Sequence, residues 1–233
     1  YAAFERIQGH AEDMVRTIKS TLAHYRGVSD RTGTLVAMYD TELFGHWWWE
    51  GPEFLYETAK LMHHDPEIEC VTGGELIDQE PARHSLTLPE GSWGEGGYHY
   101  IWINDGNLWT WEKLYPCQRK MRQMARDYER EATREVLQQA GRELLLAEAS
   151  DWQFLISTFS ARDYAEVRFN DHIDRFTRLA EIADRVHLGS AMAPEEEVFL
   201  ADCQLKDAPF SDLDVNVWKP RDVSTPGPVL KKQ

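Results

Sequence analysis

Apolar positions at the start of the chain follow a helical spacing and then give way to a short continuous run. Between residues 3 and 25 they recur every three or four positions, which places them on one face of an α-helix. Residues 34–38 form a brief apolar run between turn residues, which predicts a buried β-strand. Pro52 opens the next predicted helix at a first-turn position. Helix, loop and strand together resemble one unit of a β/α barrel.

The pattern is helical through most of the second half of the chain. Before it, residues 69–77 predict a short strand with a turn, and residues 98–103 predict a short extended segment. Apolar spacing then predicts a mainly α-helical domain, in which Pro116 lies near the start of the first helix or kinks it. The predicted helices cover residues 108–128, 134–149, a short stretch from Ser150, 163–186 ending before Gly189, and 194–205.

Two carboxylates and a run of tryptophans follow the predicted first strand. Asp40 and Glu42 would lie on one face of its C-terminal end, since side chains alternate along a strand. His46 and Trp47 come directly after a turn at Gly45. A carboxylic acid in an apolar surround has a raised pKa and can act as a general acid, and indole faces stack on sugar rings. A buried strand followed by a core aromatic cluster is the alternative.

The acidic composition of the chain limits the classes of molecule that it is expected to bind. The chain of 233 residues carries 40 Asp and Glu against 25 Lys and Arg, a net charge of −15. This balance argues against nucleic acid or an anionic membrane as a partner and permits a neutral glucan. Three dispersed cysteines predict reduced thiols in the cytoplasm. From the sequence we expect no membrane-spanning segment, no leader, no metal site at His63 and His64, and no cofactor.

The string YDTELFGHWW at residues 39–48 resembles the fourth sequence motif of glycoside hydrolase family 57. The similarity is greatest to the branch of 1,4-α-glucan branching enzymes. The resemblance implies that Asp40 is the catalytic acid/base and that the nucleophile is a Glu of an earlier motif, which residues 1–39 do not contain. The resemblance therefore implies an α/β fragment of an incomplete (β/α)7 barrel followed by the helical domain. The partner would be the N-terminal barrel half, in the same or another chain.

The same resemblance implies a set of substrate-binding residues. His46 and Trp47 match residues that line the substrate after the acid/base, although a core histidine is the alternative for His46. Trp93, in the glycine-rich string GSWGEGG at residues 91–97, matches a groove tryptophan that could close over the glucan as a lid. Its alternative is a loop anchor. Trp102 matches a second aromatic residue of this region.

The string SDWQF at residues 150–154 resembles the fifth motif of the family. It implies that Gln153 forms hydrogen bonds with glucose hydroxyls, because an amide both donates and accepts. Trp152 is then a stacking wall or a core residue. Asp151 contacts substrate or, more simply, caps the helix.

These observations predict a domain order and an activity. Residues 1–66 form the last part of the barrel, 67–106 a loop-rich segment, 107–218 the helical domain with a final strap against the barrel, and 219–233 a disordered tail. The implied reaction is retaining transfer, in which an α-1,4 link is cleaved and an α-1,6 branch is formed. An α-amylase, a 4-α-glucanotransferase and a non-catalytic glucan-binding helical chain are the alternatives.

Overall fold

The structure, a computed structural model, describes residues 2–82, 85–128 and 130–220. It divides into two compact units, Tyr1–Thr87 and Leu88–Gln233. The division falls inside the predicted loop-rich segment at residues 67–106. Among the described residues, no helix is both long and apolar enough to cross a membrane.

The first unit is built on a pair of packed helices. A 3-10 turn, Phe4–Arg6, leads into helix α1, Ile7–Ser29, and α1 packs against helix α2, Gly51–His64. The predicted amphipathic pattern is confirmed for α1, because the residues that it buries recur at helical spacing. These residues are Ile7, Ala11, Val15 and Ile18. The Lys19 ammonium of α1 also binds the carboxylate of Asp65, the residue after α2, at 2.8 Å.

The predicted strand at residues 34–38 is wrong for the part of the chain that the structure describes. The segment has no assigned secondary structure, and Val36 and Met38 are 68% and 86% exposed. A strand is stable only when its N–H and C=O groups pair with a neighbour, and the described residues contain no strand that could pair with it. The barrel fragment is therefore not formed by these residues.

The second predicted strand, at residues 69–77, is not formed, and a helix that begins with a capping box lies in its place. Residues 69–72 are irregular, and helix α3, Gly73–Gln79, follows them. The backbone N–H of Glu75 donates to the Thr72 hydroxyl, while the Glu75 carboxylate accepts from the backbone N–H of Thr72. This reciprocal pair satisfies N–H groups at the helix start and stabilises a helix where a strand was predicted. Residues 98–103 likewise form turns rather than an extended segment.

The second unit is helical, as predicted. Its long helices have nearly the bounds expected from apolar spacing, and Pro116 lies in the interior of the first of them. The last residues of the longest helix are followed by Gly189 with a φ of 104°, a conformation that glycine adopts without strain. The helices are α4, Leu108–Asp127; α5, Arg134–Ala147; α6, Asp151–Thr158; α7, Arg162–His187; and α8, Pro194–Lys206.

The core of this unit lies mainly between α4, α5 and α7, and α5 packs most extensively on α7. Phe169, Phe176 and Leu144 are buried at its centre. The predicted strap packs on the same helices rather than on a barrel. Trp218, in the 3-10 turn Val215–Trp218, lies against Gly141, where an added Cβ would be 2.9 Å from the indole. Of the predicted tail at 219–233, the structure describes only residues 219 and 220.

Candidate functional site

Asp40 precedes a short helical turn rather than ending a strand. Its carbonyl accepts a hydrogen bond from the backbone N–H of Leu43 at 3.1 Å, and a π-helical turn, Leu43–Trp47, follows. Asp40 and Glu42 are both exposed. Because the backbone turns after Asp40, the period-two argument that put the two carboxylates on one strand face does not apply. Within the first unit, the Asp40 carboxyl is therefore accessible to a ligand.

The aromatic run after Asp40 divides into packing and exposed members. The Trp48 ring contacts Phe44 and Phe54, with centroid distances of 5.8 and 4.9 Å. Trp47 is 69% exposed, and its ring lies 5.7 Å from that of His46, which is also exposed. The core-cluster alternative thus holds for Trp48, whereas Trp47 and His46 present their side chains to solvent.

The glycine-rich loop holds Trp93 outward by its own hydrogen bonds. The Ser92 hydroxyl donates to the carbonyl of Tyr98 at 2.6 Å and accepts from the backbone N–H of Gly94 at 3.0 Å. The backbone N–H of Ser92 also donates to the carbonyl of Gly97. Gly96 and Gly97 both have positive φ, which explains why glycine is used at these positions. The loop is closed at its base, and Trp93 is 75% exposed at its tip.

The structure brings Trp93 and Trp102 together, two residues that the resemblance assigned to the substrate groove. Their ring centroids are 4.9 Å apart in an edge-to-face arrangement, and Phe154 lies 5.2 Å from Trp93 on α6. Trp102 is half-buried, and its carbonyl accepts from the Trp111 indole N–H. An aromatic contact of this kind stabilises the position of the Trp93 ring. Phe154 is therefore a support for Trp93 as well as a helix-packing residue.

Gln153 lies inside the second unit and not on its surface. Its side chain is only 1% exposed, and its amide N–H donates to the Thr110 hydroxyl at 3.0 Å. Trp152 is half-buried, and its indole N–H donates to the carbonyl of Leu146 at 2.7 Å. Gln153 was expected to bind glucose hydroxyls in a cleft, but in the structure its amide is buried and bonded to Thr110. Asp151 is the first residue of α6 rather than its N-cap, which is Ser150, and no side chain forms a capping bond there.

A buried cluster of potential metal ligands was missed by the sequence analysis. Oxygen or nitrogen atoms of Glu143, His172 and Asp207 lie within 4.8 Å of one another, and all three residues are buried. The Nδ1 of His172 is 2.8 Å from a carboxylate oxygen of Glu143. The Nε2 of His172 is 3.2 Å from the guanidinium of Arg168, which can only donate. His172 therefore accepts at Nε2 and donates its Nδ1–H to Glu143.

Guanidinium groups and amide donors occupy the remaining ligand atoms of this cluster. Arg175 binds one oxygen of the Asp207 carboxylate, and Arg168 lies 3.7 Å from the other. The second oxygen of Glu143 accepts from the Gln139 amide at 3.0 Å. Each carboxylate is already paired with donors, and the nearby guanidinium charges disfavour a divalent cation. We assign the cluster to an ion-pair network that joins α5 and α7 to the segment after α8.

The cysteines of the described structure are free thiols. Cys117 and Cys203 are buried and Cys70 is exposed. Burial raises the pKa of both the Cys117 and Cys203 thiols to about 11. The two buried thiols therefore stay protonated at neutral pH and act as small apolar side chains.

Comparison with known proteins places these features in a family. Residues 113–218 match the family described as 1,4-alpha-glucan branching enzyme, C-terminal. The chain is 37% identical over 223 residues to the 1,4-alpha-glucan branching enzyme TK1436 of Thermococcus kodakarensis, covering 93% of this chain and 32% of that protein. It is 29% identical over 178 residues to the probable 1,4-alpha-glucan branching enzyme Rv3031 of Mycobacterium tuberculosis, covering 70% of this chain and 32% of that protein.

Solved structures agree with the sequence matches. A GH57-type branching enzyme from Pyrococcus horikoshii superposes with a TM-score of 0.71 and 34% identity, covering 95% of this chain and 41% of that chain. TK1436 in complex with glucose and additives superposes with a TM-score of 0.72 and 34% identity, covering 95% of this chain and 40% of that chain. The α-amylase AmyC from Thermotoga maritima superposes with a TM-score of 0.64 and 29% identity, covering 94% of this chain and 40% of that chain.

With its helical second unit, the chain corresponds to the C-terminal portion of these relatives. It belongs to glycoside hydrolase family 57, in the branch of the branching enzymes. The chain spans 32% of the length of the curated relatives that it matches.

Proposed function

We propose that the chain is the C-terminal part of a retaining α-glucan branching enzyme that acts in cytoplasmic glycogen biosynthesis. The enzyme would cleave an α-1,4 link of an amylose- or glycogen-like chain and transfer the released segment to a 6-hydroxyl, forming an α-1,6 branch. The observation that carries the proposal is the 37% identity with a branching enzyme over 93% of this chain. The N-terminal barrel half, in the same or another chain, would supply the nucleophile.

In this proposal Asp40 is the acid/base. In the first half-reaction its carboxylic acid gives a proton to the glycosidic oxygen as that bond breaks and the nucleophilic carboxylate forms a glycosyl-enzyme bond. In the second, its carboxylate takes the proton of the acceptor 6-hydroxyl as the acceptor oxygen displaces the nucleophile. A retaining mechanism places the two carboxyl groups about 5 Å apart. The exposure of Asp40, and of Trp47 seven residues later, supports this role.

Three exposed aromatic side chains and one that is half-buried, Trp102, form the proposed glucan contacts. His46 and Trp47 follow the acid/base, and Trp93 and Trp102 form an edge-to-face pair on the second unit. Each presents ring surface that can cover the C–H face of a glucose residue and exclude water from transfer. The burial of Gln153 supports a positioning role behind this surface, where its bond to Thr110 ties α6 to α4. Trp152 packs against the core of the same unit, which supports a structural role for it as well.

An α-amylase is the second candidate, because the chain is also similar to AmyC of Thermotoga maritima. The two activities are separated by product linkage. The full-length protein, incubated with amylose, is expected to form α-1,6 linkages measurable by proton NMR with little increase in reducing ends. New reducing ends without α-1,6 linkages would contradict the branching proposal and support the amylase.

Replacing Trp93 with Ala in the full-length protein is expected to lower kcat/KM for amylose by about 10- to 100-fold. This range corresponds to about 1.5–3 kcal/mol of lost apolar contact between the exposed indole and the sugar. Initial rates over a range of amylose concentrations measure the effect. Tyr115→Ala is the matched control, because Tyr115 is an exposed aromatic residue of α4. Equal kinetics for Trp93→Ala and the wild type would remove Trp93 from the substrate site.

A further inference from the structure

A second aromatic surface lies on the helical unit at the start of α7. Phe159, Ala161, Arg162, Asp163 and Tyr164 line a shallow groove of about 350 Å³. A second open groove, of about 490 Å³, shares Asp163 and continues along the same helix. It is lined by Asp163, Glu166, Val167, Asn170 and Asp171. The two grooves together follow residues 159–171, a length suited to an extended ligand.

The backbone holds an aromatic ring out to solvent at one end of this surface. Phe159 has a left-handed φ of 57°, which is unfavourable for a bulky side chain, and it is 70% exposed. Tyr164 is 58% exposed, and its ring lies 6.2 Å from that of Trp152. Burial in a core explains neither ring, since both remain largely in water. The groove therefore offers two accessible aromatic rings.

The polar groups of the surface are carboxylates, an amide and one guanidinium. Arg162 lies over the Phe159 ring at 5.3 Å and donates to the Glu166 carboxylate at 2.7 Å. Its charge is therefore matched within the groove, and Arg168 lies 3.9 Å from the Asp171 carboxylate. Two of the three lining carboxylates thus face a guanidinium, so the surface has little net charge with which to attract a charged polymer. It retains the oxygen acceptors and flat apolar rings that a neutral polyhydroxyl ligand requires.

We propose that the surface along residues 159–171 is an accessory binding site for a neutral α-glucan chain, distinct from Asp40 and from the four aromatic residues assigned to glucan contacts in the reaction. Phe159 and Tyr164 would stack on glucose rings, and the Asp163 carboxylate would accept hydrogen bonds from sugar hydroxyls. The identity of the sugar as an α-glucan rests on the proposed function. An accessory site would hold a long polymer to the protein without contacting the bond that is cleaved, so its contribution grows with chain length through local concentration.

The test is gel electrophoresis of the full-length protein through glycogen, with retardation converted to a dissociation constant. The double variant Phe159→Ala/Tyr164→Ala is compared with Phe159→Tyr/Tyr164→Phe, which keeps both rings, and with Tyr115→Ala. Val167→Arg fills the second groove from an exposed helical position and provides a variant that does not alter the φ-positive residue. Each variant is also made together with Trp93→Ala, so that the two surfaces are measured independently.

The double Ala variant and Val167→Arg are each expected to raise the glycogen dissociation constant about tenfold or more, also when Trp93 is absent. The ring-preserving variant and Tyr115→Ala are expected to match the wild type. Unchanged retardation for the double Ala variant and Val167→Arg would overturn the accessory site. In the full-length protein, normal branching of amylose together with unchanged glycogen binding would overturn this site alone. Loss of glycogen binding in these variants, in a protein that makes no α-1,6 links, would retain the site and reject the branching activity.

Discussion

Replacing Asp40 with Asn in the full-length protein is expected to lower kcat on amylose by about 10²- to 10⁴-fold, the contribution typical of a positioned general acid and base. Asparagine keeps the shape of the side chain and can still form hydrogen bonds, but it cannot give a proton to the glycosidic oxygen. The expected KM is close to that of the wild type, because stacking of glucose on the aromatic residues is unaffected. Initial rates of α-1,6 linkage formation measure both parameters.

Glu42→Gln is the control, since Glu42 is an exposed carboxylate only two residues from Asp40. It is expected to keep kcat within about a factor of two of the wild type, as for most surface substitutions. A glycosyl-enzyme that accumulates in Asp40→Asn with an activated substrate would confirm that the nucleophile is still in place. Equal losses for the two variants would show that the segment tolerates no change, and an active Asp40→Asn would assign the proton transfer to another residue.

The second large effect concerns the stability of the helical unit. His172→Ala is expected to lower its free energy of unfolding by about 3–5 kcal/mol, because the Glu143 carboxylate would be left buried without its imidazole partner. Arg168 would also lose its acceptor at the ring. Urea unfolding followed by circular dichroism measures the change, with the slope of the transition checked for two-state behaviour.

Lys206→Ala is the matched control for that measurement. It breaks an ion pair with Asp202 in which both side chains are about half exposed, and such pairs contribute at most about 1 kcal/mol. A loss below about 1 kcal/mol for His172→Ala would show that water or a relaxed side chain satisfies Glu143 when the imidazole is absent. A large loss restored by His172→Gln, whose amide can also donate to the carboxylate, would confirm the hydrogen bond as its cause.

Local sequence predicted the helices well because each helix satisfies its own backbone. The apolar spacing in residues 163–186 gave α7 to within one residue at each end, and Gly189 ended it as expected. The strand at residues 34–38 failed for the opposite reason. Its hydrogen bonds need a neighbouring strand, and an apolar run cannot specify whether one is present. The sequence does contain the pattern that indicates the start of α3, because Thr72 is followed three residues later by Glu75, as in a capping box.

The candidate site was predicted in part. The motif resemblance placed Trp93 and Trp102 in one region, and the structure brings their rings into contact. It also suggested an exposed Gln153, but the start of α6 packs that side chain against Thr110. The ion-pair network was missed because its members are far apart in sequence. One signal was available, since His172 lies among the apolar positions of α7 between Phe169 and Phe176.

The hydrogen bonds that close the loop around Ser92 have a consequence for how a polymer would arrive. An indole held at a fixed position before contact needs little ordering when a sugar reaches it, so less conformational entropy is lost on association. If Trp93 contacts the glucan as proposed, the sugar would bind to an indole that is already in place, which is the alternative to a lid that closes after binding. The association rate would then be limited by diffusion and orientation of the glucan, and selectivity would come from the dissociation rate.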